Sequence, residues 1–167
     1  MAVEWVDPDS VTAAAGNEAR SADFNSALQD LKYLHDPPRC KVRLNASQSV
    51  ANATDHAITW PATVWDSHGD MWIIGSPTRV TITRDGVYTI VITPQWFSDV
   101  DGTVWLEVNG DLRAGPIKGQ LVVETNLADG DYLEAFVRQT SGAAVNLLAT
   151  RTTLSVRWSA APPVSGE

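Results

Sequence analysis

The sequence predicts an all-β fold, a sandwich or a barrel, carried behind a short N-terminal arm and helix. Three observations point to it. From Cys40 onward apolar residues recur at every second position. Turn signals interrupt that period often, among them Asn45 to Asn52, His68-Gly69-Asp70, Asp85-Gly86, Asn109-Gly110-Asp111, Ala114-Gly115-Pro116, Asp129-Gly130 and Ser141-Gly142. Two segments, Gly86-Val87-Tyr88-Thr89-Ile90 and Leu127-Ala128-Asp129-Gly130-Asp131-Tyr132-Leu133-Glu134-Ala135, each join a glycine corner to strict alternation. Successive strand side chains point to opposite faces. The first segment therefore turns Tyr88, Ile90 and Ile92 one way and threonines the other. The second sets Tyr132, Glu134 and Phe136 opposite Leu133, Ala135 and Val137.

In chain order, residues 1–20 are small and polar and read as an extended arm, with Trp5 as an aromatic anchor for a neighbour's pocket. Ser21 is an N-cap and Asp23 suits a helix start. Phe24, Ala27, Leu28, Leu31 and Leu34 then recur at three- and four-residue steps until Pro37-Pro38 ends the pattern. A helix of about four turns is marginal alone, so Trp5, Phe24, Leu28, Leu31 and Leu34 are expected to attach the arm and helix to another surface. Strands are expected near 40–44, 57–65, 71–74, 78–84, 87–97, 103–109, 120–126, 131–139, 145–149 and 152–158. The division is arm and helix over 1–38, head over 39–159 and a flexible, proline-rich tail over 160–167.

With 167 residues, 44% hydrophobic and 19% charged, the chain suits one well-buried domain with an appendage. Twenty Asp and Glu against twelve Lys and Arg give a net charge of −8. The arginines are scattered singly as solvated strand-face residues, so no nucleic-acid partner is expected. Cys40 is the only cysteine, which excludes an intrachain disulfide and reads as a buried small hydrophobe. No apolar run approaches bilayer length and the N-terminus lacks a secretory pattern. The expectation is a protein with no membrane partner, made in a cytoplasm.

Chemistry is sought and not found. The sequence has no nucleophile elbow, phosphate loop, dinucleotide fingerprint or HExxH. His35, His56 and His68 are far apart, and a calcium loop begun at Asp99 meets Gly110 where the bidentate glutamate should stand. No enzyme activity, catalytic residue, metal or cofactor is expected. Of the tryptophans, Trp60, Trp65, Trp72, Trp96, Trp105 and Trp158 read as core or subunit-interface residues. In a rival reading, Trp65 and Trp72 sit on loops and stack on a surface glycan.

Gly86-Val87-Tyr88-Thr89-Ile90, then Val104-Trp105-Leu106-Glu107-Val108-Asn109-Gly110, then Leu127 to Val137 with Ser141-Gly142 resemble the jelly roll of the tumour necrosis factor and complement globular-head superfamily. The likeness covers about residues 40–158. It is nearest to versions found in virion proteins of tailed bacteriophages, which begin with a similar arm and helix before a Cys-x-Val strand, here Cys40-Lys41-Val42. The resemblance implies a ten-stranded two-sheet jelly-roll sandwich and a homotrimer packed around a threefold axis. By position it turns Thr89, Val91 and Thr93 to the axis, with Gln120 and Val122 of the 120–125 strand and Trp158 nearby. The expected function is a phage virion structural protein, a capsid decoration or cement protein located in the virion after assembly in the host cytoplasm. Its partners would be the major capsid protein or other virion proteins. The alternative is a tail-associated receptor- or glycan-binding module.

Overall fold

The computed structural model describes Leu28, Leu31 and residues 35–67 and 69–162. The chain divides into two units, Met1–Asp36 and Pro37–Glu167. In the first, Leu28, Leu31 and His35 are helical and exposed. Trp5, Phe24 and Leu34, expected to share in attachment, lie outside the described residues.

The second unit is built from β1 (Arg39–Arg43), β2 (Gln48–Val50), β3 (His56–Ala57), β4 (Ala62–Asp66), β5 (Arg79–Thr81), β6 (Gly86–Thr93), β7 (Gly102–Val108), β8 (Asp111–Lys118), β9 (Leu121–Leu127), β10 (Tyr132–Gln139), β11 (Val145–Leu147) and β12 (Thr153–Ala160). Ten of these form the expected two-sheet sandwich. One five-stranded sheet runs β4-β1-β12-β6-β9; the other runs β3-β10-β7-β8 with β5 also paired to β10; β2 and β11 pair as a separate ribbon. Within both sheets the strand pairs are antiparallel.

Several element expectations need correction. The predicted 57–65 strand is two strands in different sheets, His56–Ala57 and Ala62–Asp66. Between them Pro61 cannot donate to a ladder, and Ile58 and Trp60 are buried. Residues 71–74 are not a strand: Met71 is buried in the core while Ile74 is exposed, and the Met71 carbonyl accepts from the Thr81 amide at 2.7 Å. Strands β2 and β8 arise where turns were expected. The Asp129-Gly130 corner does not close a hairpin; it carries the chain from β9 in one sheet to β10 in the other. There the Asp131 carboxylate accepts from the Ala128 amide at 2.8 Å and from Asn109 Nδ2 at 2.7 Å, and Gly130 adopts φ +87°.

The core lies between the sheets. Tyr88, Ile90 and Ile92 of β6, Cys40 and Val42 of β1, and Leu154, Val156 and Trp158 of β12 face Val104 and Leu106 of β7 and Leu133, Ala135 and Val137 of β10. Burying each large aliphatic side chain contributes about 1.5–3 kcal/mol, so β6, which alternates buried and half-buried residues along its whole length, is a principal organiser of the head. Tyr88 satisfies its phenol by donating to the Arg84 carbonyl at 2.9 Å. Gln139 is fully buried and satisfied: its amide donates to the Val50 and Ala143 carbonyls at 3.1 and 2.7 Å and accepts from the Ser141 amide and hydroxyl at 2.7 and 2.6 Å.

Candidate subunit interface

The alternation that buries Tyr88, Ile90 and Ile92 leaves the other face of the β4-β1-β12-β6-β9 sheet without a covering layer among the described residues. Register fixes its grid. One cross-strand row reads Trp65, Lys41, Ser155, Val91, Val122; the next reads Arg39, Arg157, Thr89, Glu124; a third holds Arg43, Thr153 and Thr93. The column on β6, Val87, Thr89, Val91 and Thr93, next to the edge strand β9, is half-buried and uncharged. Val122 on β9 is 59% exposed. A recess of about 410 Å³ opens on the face, lined by Thr89, Val91, Ser155, Arg157, Trp158 and Ser159. Across it the Thr89 and Ser159 hydroxyls are bonded at 2.7 Å.

The expected interface residues are thereby placed. Thr89, Val91, Thr93 and Val122 share the outward face. Gln120 is exposed just before β9, where its Nε2 donates to Thr93 Oγ1 at 2.8 Å. Trp158 borders the recess, but its indole packs in the core, with Nε1 donating to the Asp85 carbonyl at 3.2 Å. The two aromatics of the glycan reading also separate. Trp65 stands on β4, 37% exposed, with the Arg39 guanidinium 5.7 Å from its ring centroid. Trp72 is half-buried, packs against the core, and its buried Nε1 has no partner among the described residues.

Sequence reasoning missed the cations of this face. Arg39, Lys41, Arg43 and Arg157 look scattered along the chain, yet β1 and β12 assemble them on one surface. None forms an ion pair among the described residues, whereas Arg79, Lys118 and Arg138 pair with Glu134, Asp101 and Asp55. The signal for the first three is the period-two spacing of Arg39, Lys41 and Arg43; no local signal adds Arg157.

Among the described residues no group of three or more His, Cys, Asp or Glu is placed to hold a metal, and no helix is long and apolar enough to cross a membrane. Cys40 is buried, and burial, with the Asp66 carboxylate as a second cause, pushes its thiol pKa up to about 12. At neutral pH it is a packed thiol, not a thiolate.

No family model matches the sequence, and no curated protein matches it. Solved structures do match in shape. The structure of Eiger TNF from S. frugiperda superposes with a TM-score of 0.53 at 16% identity, over 78% of this chain and 98% of that one. A crystal structure of murine APRIL at pH 8.0 gives 0.51 at 16% identity, over 73% of this chain and 98% of that one. At such identity the likeness is one of fold, and the fold of the head is the tumour necrosis factor jelly roll.

Proposed function

We propose that the head assembles as a homotrimer through the outward face of the β4-β1-β12-β6-β9 sheet and works as a non-catalytic protein-binding module. The observation that carries this reading is the outer column of β6. Val87, Thr89, Val91 and Thr93 present an uncharged column, beside the edge strand β9, on a sheet face that none of the described residues covers, where an antiparallel sheet facing water ordinarily alternates to polar residues. An uncharged β-branched strip flanked by charged residues on the neighbouring strands fits an interface. Closed threefold symmetry covers such a face on every copy at once.

Within that reading we assign the protein to a bacteriophage particle, as a capsid decoration or cement protein held through residues 1–38 by the major capsid protein or another virion protein. Support comes from the sequence resemblance and from Leu28 and Leu31, an exposed apolar pair three residues apart in a helical segment. Three arms on one trimer would multiply a weak individual attachment.

Light scattering of the purified chain then gives about three times 18.1 kDa, and the full chain, but not one lacking residues 1–36, is recovered with particles. A monomer at micromolar concentration overturns the trimer; full recovery of the truncated chain overturns attachment by the arm. The glycan-binding reading keeps one observation in its favour, the exposed Trp65 indole. Specific glycan binding that disappears in Trp65→Ala would select it instead.

A further inference from the structure

The outward face carries charges that form no ion pair among the described residues. Arg39 and Arg157 are direct register partners on β1 and β12, and both are exposed. Like charges directly opposite across two strands destabilise a sheet. No carboxylate among the described residues forms an ion pair with either. In the same cross-strand row, at the opposite flank, Glu124 is the register partner of Thr89, exposed and equally without an ion pair. Two strand spacings, roughly 10 Å, separate its backbone from that of Arg157, and the two side chains do not meet.

We propose that Glu124 of one copy enters the recess beside Arg157 of the next and answers the Arg39–Arg157 pair. The interface then joins β9 of each copy to β12 and β1 of its neighbour. This rests on the trimer proposed above and adds which flank meets which. In a ring of identical copies the two contacting surfaces differ, and this face supplies two unlike flanks. One is anionic and apolar, with Glu124 and Val122; the other is cationic, with Arg39, Lys41, Arg43 and Arg157. A twofold pairing that set the cationic flank on itself would oppose like charges, whereas head-to-tail closure matches opposite ones. The recess suits a carboxylate: it is bordered by the Arg157 guanidinium and by the hydroxyls of Thr89, Ser155 and Ser159. Val91 beside them offers Val122 an apolar seat.

The test uses the full chain and three variants, Glu124→Arg, Arg157→Glu and the two combined, followed by sedimentation across a concentration series. Each single reversal should raise the concentration at half-assembly by roughly 30-fold or more, while the combined variant returns to within about threefold of the original. Raising the salt concentration should loosen the original trimer. Circular dichroism checks the fold. If a reversal melts early, Glu124→Gln removes the charge without added bulk and should shift assembly the same way by a smaller factor. A trimer indifferent to Glu124→Arg, or a combined variant no better than the singles, overturns this contact and leaves the trimer standing. An original chain that never assembles overturns the trimer itself.

Discussion

Gly86 abuts Trp158 so closely that a Cβ at residue 86 would strike the indole and stand 2.6 Å from the Ala160 carbonyl oxygen. The residue also has φ +155°, and Trp158 Nε1 is tied to the neighbouring Asp85 carbonyl. Gly86→Ala must therefore push apart the end of β12 and the first residue of β6. Overpacking and backbone strain together cost about 3 kcal/mol, a fall in Tm of roughly 6–12 °C for a chain of this size. At Gly130, φ is +87° but nothing lies within 4 Å of an added Cβ, so Gly130→Ala costs about 1 kcal/mol. Denaturant unfolding of both variants checks the difference, and equal losses would show that the Trp158 contact is not the cause.

Gln139 ties three segments together. Replacing it with Leu keeps the bulk but strips a partner from the Val50 and Ala143 carbonyls and from the Ser141 amide. Leaving several polar groups unsatisfied at a fully buried site costs about 3 kcal/mol. Hydrogen exchange should also quicken first in the 50–53 and 139–143 segments, which a uniformly weakened core would not do.

How much of this was legible in the sequence depends on what each segment buries. Gly86–Thr93 reads plainly because one face is core and the other is not. Asp111–Lys118 hides because it is an edge strand, exposed at every position but Ala114, and Gly115-Pro116 imitates a turn. Met71-Trp72-Ile73-Ile74 misleads in the opposite direction: an apolar run satisfies strand composition, but Ile73 and Ile74 point to solvent from a loop. The outward face is half legible. Thr89, Val91 and Thr93 follow from local alternation, whereas the meeting of Arg39 with Arg157 depends on a register between strands from opposite ends of the head.

The buried thiol of Cys40 should leave a mark on stability at alkaline pH. Its pKa is about 12 in the fold against 9.0 for an ordinary thiol. Below pH 9.0 both folded and unfolded chains keep the proton and the contribution is fully present. Between there and about pH 12 the unfolded chain loses its proton first, so stability falls as pH rises. Cys40→Ala removes this component, so the stability difference between the two chains should shrink or reverse from about pH 8 to about pH 10.5, read from denaturant midpoints. At neutral pH a thiol reagent should label Cys40 only as fast as the protein opens; prompt labelling would contradict a buried thiol.

Val91 stands on the outward face between Ser155 and Val122, and its substitution separates the fold of the head from its assembly. In an isolated copy, Val91→Arg places a long charged side chain on a half-buried outer position, a change expected to alter stability by no more than about 0.5 kcal/mol. In a trimer closed on this face, the same change buries a like charge at every interface without a partner, which costs far more than one copy gains from Val91. Light scattering should then report the mass of a single chain while the circular dichroism of the head is unchanged. The Tm of the original chain should rise with protein concentration, by mass action, and that of the variant should not. A Val91→Arg chain that keeps both the trimer mass and the concentration-dependent Tm would move the interface off this face altogether.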